Sequence, residues 1–172
     1  MFEIGEYVNY GTNGIFQIVD IRKECFDSKT EKEYYILQPV YSSNSTIYVP
    51  ADNETVTKKM QYILTPEEVH DLIKSIPEEE TFWIQDDRLR REKFTKILRN
   101  GDRRELIGLL KTLYKRKKER NESGHKFFAV DENILNTAER ILHQEFALVL
   151  NIKPEEVVPF IRKELESITQ NQ

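Results

Sequence analysis

The first 60 residues alternate short apolar runs with polar turns, a pattern typical of β-strands. The first two runs flank Gly11-Thr12-Asn13-Gly14, where glycine can supply the positive φ of a tight turn. The fourth run stops at Pro50, which has no backbone N–H to donate to a sheet. The runs occupy residues 7–10, 15–21, 33–37, 46–49 and, as a candidate fifth strand, 56–60. Short strands with regular turn signals predict a small β-barrel or sandwich of the SH3-like size class.

At Thr65 the spacing of apolar residues changes to that of α-helices. Thr65-Pro66-Glu67-Glu68 combines an N-cap hydroxyl, a proline at the first helical position and a glutamate at the third, which together predict a helix start. Pro77 ends this helix. Further helices are predicted from Asp86 or Asp87 to Leu98, from Asp102 to about Asn121, from near Asp131, and after Pro154.

The apolar residues of these helices form stripes at helical spacing. In the third helix they are Leu106, Leu109, Leu110, Leu113 and Tyr114, and in the last Val157, Val158, Ile161 and Leu165. Connections this short favour antiparallel neighbours in a compact bundle. The expected fold is therefore α+β by domain, with a β-barrel over residues 1–62 and an all-α helical bundle over residues 63–172.

Charge is distributed unevenly along the chain, which has a net charge of −4 over 172 residues. Residues 88–120 hold 14 lysines and arginines against four acidic residues, whereas residues 1–87 hold 7 against 17. A solvated helix face usually mixes signs, because like charges four residues apart repel. The basic segment therefore favours contact with a polyanion such as nucleic acid over an ordinary solvated face, and Lys115 and Lys117 are included among its candidate contacts.

Residue types that carry enzymatic or metal chemistry are scattered. Cys25 is the only cysteine, the three histidines are far apart in sequence, and the glycines lie in a hairpin rather than in a phosphate-binding loop. We expect no enzyme activity, cofactor, metal or small-molecule substrate. The N-terminus lacks a signal-peptide pattern and no apolar run reaches about 18 residues, so a cytoplasmic protein with no membrane partner is expected.

Two features have both a structural and a functional interpretation. Trp83, the only tryptophan, either packs between the domains or serves as an apolar wedge beside DNA. The strand from Ser45 to Pro50 is either an ordinary blunted edge or an edge that pairs with another protein's sheet.

Several segments resemble the CarD/CdnL family of bacterial transcription regulators. In the β-rich half they are Phe2-x-x-Gly5-Glu6-x-Val8-x-Tyr10-x-x-x-Gly14-Ile15, Tyr34-Tyr35-Ile36-Leu37 and Ile47-Tyr48-Val49-Pro50. In the helical half they are Arg99-Asn100-Gly101-Asp102, Leu113-Tyr114-Lys115-Arg116-Lys117 and Glu145-Phe146-Ala147-Leu148. The resemblance covers nearly the whole chain.

The resemblance implies a Tudor-like N-terminal domain that pairs a strand with the β subunit of RNA polymerase, and a helical domain that contacts promoter DNA. The polymerase-facing strand would consist of Thr46, Ile47, Tyr48, Val49 and Pro50. Trp83 would be the wedge in the minor groove, and the phosphate contacts would be Arg88, Arg90, Arg91 and Lys93.

The hypothesis that joins these features is a monomeric transcription regulator that binds polymerase and stabilises the open promoter complex. The alternative is a protein–protein adaptor whose basic segment binds an acidic partner and not DNA. The adaptor would show no DNA binding even at low salt, which distinguishes the two.

Overall fold

The computed structural model describes residues 1–27, 29–43 and 45–170. The chain forms two compact units, Met1–Ile63 and Leu64–Gln172. The first is built from strands and the second from helices, as the fold-class prediction states.

The first unit is a five-stranded antiparallel sheet with the strand order β4-β3-β2-β1-β5. Its strands are β1 (Tyr7–Tyr10), β2 (Ile15–Glu24), β3 (Lys32–Pro39), β4 (Ile47–Pro50) and β5 (Met60–Tyr62). Among the described residues β4 and β5 are the two edges and do not pair, so the predicted barrel is wrong in this respect and the sheet is open. Val8, Ile18 and Leu37, each fully buried, lie in its hydrophobic core.

The predicted fifth strand at 56–60 is wrong in its bounds. The chain forms a short helix there, α1 (Glu54–Thr57), before β5 begins at Met60. The side chain of Asn53 accepts a hydrogen bond from the backbone N–H of Thr55 at 3.1 Å and so caps that helix. The strand starts only where Met60 pairs with Tyr10 of β1.

The described residues of the second unit form five long helices. They are α2 (Pro66–Ser75), α3 (Asp87–Asn100), α4 (Arg103–Glu122), α5 (Ala129–Leu150) and α6 (Val157–Gln170). Helix α5 contacts each of the other four, so it is the centre of the unit. The predicted helices are all present, with ends within a few residues of their expected positions.

The predicted start of α2 is confirmed in detail. The Thr65 hydroxyl accepts from the backbone N–H of Glu68 at 3.2 Å, and the Glu68 carboxylate accepts from the backbone N–H of Thr65 at 2.8 Å. These reciprocal bonds form a complete capping box. After Ser75 the chain continues through a 3₁₀ turn that contains Pro77, so the helix ends where proline predicted.

The α3–α4 junction also forms as predicted. Asp86 caps α3, Gly101 ends it with a left-handed φ of +67°, and Asp102 caps α4 by accepting from Glu105 N–H at 2.9 Å. Leucines of the predicted α4 stripe are buried, but Tyr114 is 45% exposed. Tyr114 lies about 100° around the helix from Leu113, which turns it away from the buried side. Val158 of α6 is likewise 43% exposed.

A buried ion pair joins α4 to α5. Glu145 is completely buried and accepts two hydrogen bonds from the Arg103 guanidinium, at 2.8 and 3.0 Å. The backbone N–H of Leu64 donates to the same carboxylate at 3.1 Å. A buried charge needs such partners, because water no longer solvates it.

Candidate functional site

Strand β4 has one free edge. It pairs antiparallel with β3 alone, placing Tyr48 opposite Ile36 and Pro50 opposite Tyr34. Within the described residues no strand covers its other side. Backbone N–H and C=O groups on such an edge can pair with a strand of another protein.

The five residues of the predicted polymerase-facing strand differ in how much they expose. Val49 is buried in the core of the sheet, so only its backbone is available to a partner. Thr46 and Tyr48 are exposed, and Ile47 and Pro50 are half-buried. Because side chains alternate along a strand, Tyr48 lies on the face opposite Val49.

An aromatic patch accompanies this edge on the same face as Tyr48. It consists of Phe26, Tyr34 and Tyr48. Phe26 packs edge-on against both tyrosines, with ring centroids 5.1 Å from Tyr34 and 5.4 Å from Tyr48, yet remains 64% exposed. Sequence reasoning missed Phe26 and Tyr34. The alternation of β3 against β4 could have placed Tyr34 beside Tyr48, but no sequence signal locates Phe26, which follows β2 in a loop.

Helix α3 carries an exposed basic face. The residues of this face are Arg88, Arg91, Lys93, Lys96 and Arg99. In the described part of the chain only Arg88 approaches a carboxylate, that of Glu92 at 3.9 Å, and its side chain is 83% exposed. Four cations that no carboxylate neutralises therefore point into solvent, together with the predicted contact Lys115 of α4.

Arg90, also implied as a phosphate contact, is 5% exposed. Its guanidinium donates to both carboxylate oxygens of Asp131 at 3.2 and 3.3 Å, and it also pairs with Asp87 at 2.8 Å. A further bond goes to the carbonyl of Ile84 at 2.9 Å. Burial alone would lower the pKa of Arg90, but the bonds to Asp131 and Asp87 outweigh it and raise that pKa. The buried N–H donors of Arg90 already bond to groups inside the protein, so they are not available to a phosphate.

Trp83 is half-buried and lies against two arginines. The guanidinium carbon of Arg90 lies 4.3 Å from the indole centroid and that of Arg116 lies 5.0 Å from it. Phe94 meets the indole edge-on at 6.3 Å. The indole nitrogen is buried and has no hydrogen-bond partner among the described residues. These contacts are all made within the helical unit.

The arginine–aromatic stacking extends beyond Trp83. Arg90 also lies 5.7 Å from the ring centroid of Phe128, and Arg120 covers that ring at 4.2 Å. We call the alternating set Arg116, Trp83, Arg90, Phe128 and Arg120 the arginine–aromatic ladder. Sequence reasoning missed this ladder because its members come from four separate segments of the chain.

Several cations of α4 have structural partners. Lys111 donates to the carbonyls of Ile76 and Glu79 at 2.7 and 2.6 Å, and so satisfies the backbone where α2 ends. Lys117, a predicted DNA contact, pairs with Glu132 at 2.6 Å and is only 36% exposed. The basic segment therefore divides into cations that hold the unit together and cations that face solvent.

The described residues contain no cluster of three or more side chains suited to hold a metal ion. None of the helices in that part of the chain is both long enough and apolar enough to cross a membrane.

Comparison with protein-family models matches both halves of the chain. Residues 2–63 match the CarD-like/TRCF RID domain, and residues 69–162 match the CarD, C-terminal domain. No curated protein is similar enough to count as a match. The open sheet followed by a helical unit and these two matches define a transcription-associated protein, and the chain belongs to the CarD/CdnL family.

Proposed function

We propose that this protein binds the β subunit of RNA polymerase through β4 and contacts promoter DNA through the basic face of α3. It would act as a cytoplasmic monomer that stabilises the open promoter complex. Membership of the CarD/CdnL family supports an association with polymerase. Two surfaces give the proposal its main support. They are the free edge of β4 and the basic face of α3, most of whose charges no carboxylate of the described residues neutralises.

The free edge of β4 supports recognition by strand pairing. An added strand would hydrogen-bond to the backbone of β4 and place alternate side chains beside Tyr48. There they would meet the aromatic patch, whose member Phe26 is 64% exposed. Backbone pairing supplies affinity, and the exposed rings supply the apolar contact that distinguishes one partner strand from another.

The basic face of α3 supports contact with DNA phosphates. Four cations without carboxylate partners release counterions from DNA when they bind, so affinity should fall steeply as salt rises. Phosphate contacts position a protein without reading sequence. Lys115 joins these contacts in the proposal, whereas Lys117 and Arg90 serve inside the helical unit.

Weak DNA contacts suffice if binding to polymerase already brings the protein to the promoter. A short tether raises the local concentration of the DNA-binding face to about the millimolar range. If that face binds the open complex better than the closed one by about 1.4 kcal/mol, the open population rises tenfold relative to the closed.

The test measures the lifetime of the open complex with cognate polymerase, with and without the protein. We expect a longer lifetime with the wild type and a loss of the effect with Tyr48→Ala at moderate protein concentration. Tyr114→Ala is the matched control, because that tyrosine is similarly exposed at 45% but lies on α4. An unchanged lifetime with the wild type, together with no DNA binding at low salt, would instead identify an adaptor.

A further inference from the structure

The aromatic side chain expected to touch DNA is crowded by two cations and a second ring. Arg90 covers one face of Trp83 at 4.3 Å and Arg116 lies 5.0 Å from the same ring. Phe94 packs at an angle against the indole, with ring centroids 6.3 Å apart, and the indole nitrogen is buried. A wedge between base pairs needs an exposed face or edge. Trp83 is half-buried, so much of its ring is already covered by the protein.

Leu89, in contrast, is an exposed apolar side chain. It is 50% exposed in the first turn of α3, where its backbone N–H donates to the Asp86 carboxylate at 2.8 Å and fixes that turn. Exposed Arg88 precedes it, and exposed Lys93 follows one helical turn later on the same side. An apolar side chain of this size amid cations is the kind that proteins insert beside DNA bases.

From this arrangement we propose that Leu89 is the apolar side chain placed against DNA, and that Trp83 is a positioning residue that holds Arg90 and Arg116. The inference rests on the proposed contact between α3 and DNA. The acidic residues Asp86 and Asp87 near Leu89 repel DNA only weakly. The Asp87 carboxylate pairs with Arg90 at 2.8 Å, and the Asp86 carboxylate accepts the helix cap bond.

The ladder explains how Trp83 acts without touching DNA. Arg116 has its Nε buried without a hydrogen-bond partner, while Nη1 bonds to Glu119 at 3.3 Å. Its guanidinium is therefore held by the Glu119 carboxylate and by its contact with the indole, 5.0 Å from the ring centroid. An aromatic ring of any kind at position 83 should keep both arginines in place. Trp83→Phe should therefore disturb the positions of Arg90 and Arg116 little, and Trp83→Ala should disturb them strongly.

The experiment measures binding of the full-length protein to a fluorescently labelled forked DNA duplex at low salt. We expect Leu89→Ala to weaken DNA binding about fivefold, because the variant loses the apolar contact of a leucine side chain that DNA partly buries. Val158→Ala is the matched control, since Val158 is 43% exposed on α6, and should bind as the wild type does. Trp83→Phe should also bind nearly as the wild type does.

A second readout comes from Trp83 itself, which is the only tryptophan and so reports alone on its surroundings. Its emission and its quenching by acrylamide should not change when DNA saturates the protein. Strong quenching by DNA, with Leu89→Ala binding normally, would overturn the inference and make Trp83 the wedge, while the DNA contact itself would stand. Absence of binding by every variant at low salt would overturn the proposed DNA contact and this inference with it.

Discussion

At the scale of single residues, a cation's role depends on partners that lie far away in sequence. Arg90 sits in a run of exposed basic residues, yet it is buried because Asp131 meets it from α5, 41 positions away. The sequence shows that the segment is basic, but local charge cannot show which cation a distant carboxylate will capture. Once captured, the pair is costly to break, because a lone buried charge has neither water nor a counterion.

Replacement of Asp131 should therefore destabilise the protein strongly. We expect Asp131→Ala to lower the free energy of unfolding by about 3–5 kcal/mol, since Arg90 would remain buried without its main partner. Asp87→Ala is the control, because Asp87 contacts the same guanidinium but its side chain is 78% exposed; it should cost about 1 kcal/mol or less. Urea denaturation measures both, and equal costs would contradict a dominant role for the buried pair.

His143 makes stability depend on pH. Burial lowers the pKa of His143, so the folded protein resists a proton that the unfolded chain accepts near the ordinary histidine value of about 6.5. The unfolded state then binds more protons in acid, and the free energy of unfolding should fall as pH drops from about 7 to 5. His143→Leu should flatten this slope. A slope unchanged by the His143 variant would show that other groups cause it.

For helices and strands, the features set by neighbouring residues are predicted correctly from the sequence, and those set by distant residues are not. The box at Thr65, the glycine at 101 and the cap at Asp102 act within one turn of the helix, so the sequence contains the whole interaction. Strand β5 depends on pairing with Tyr10, 50 positions away, and its start was misplaced. Closure of the sheet depends on its two edge strands meeting, which no local pattern encodes.

The capping box gives a prediction at this scale. Thr65→Ala removes the hydroxyl that accepts from Glu68 N–H, and we expect a loss of about 1 kcal/mol of unfolding free energy. Thr137→Ala is the control, because that hydroxyl bonds back to the Asn133 carbonyl within α5 and alanine favours helix. Thermal denaturation of both variants should show a lower midpoint for the first alone.

At the scale of the whole molecule, the sequence located both candidate surfaces but not their members. It predicts one surface at residues 46–50 and the other in the basic segment, because a strand pattern and a run of basic residues are both visible in the local sequence. It missed Phe26 and Tyr34, which join the first surface through the fold of the sheet. It also included Lys117, which the fold pairs with Glu132.

The two surfaces should affect different parameters of open-complex stabilisation. Polymerase binding sets how much protein is needed, so Tyr48→Ala should raise the protein concentration that gives half of the maximal lifetime without lowering the maximum. DNA contact sets the preference for the open complex, so Lys96→Ala should lower the maximum without moving that midpoint. Lys163→Ala, an exposed lysine on α6, is the control for charge alone.

A titration of open-complex lifetime against protein concentration separates the two effects. Because binding to polymerase and preference for open DNA enter as independent factors, the double variant should show both changes at once, with the higher midpoint and the lower maximum of the single variants. A Tyr48→Ala protein that lowers the maximum at saturation would place β4 in the DNA-dependent step. A Lys96→Ala protein that shifts only the midpoint would mean that α3 recruits the protein rather than holding the bubble open.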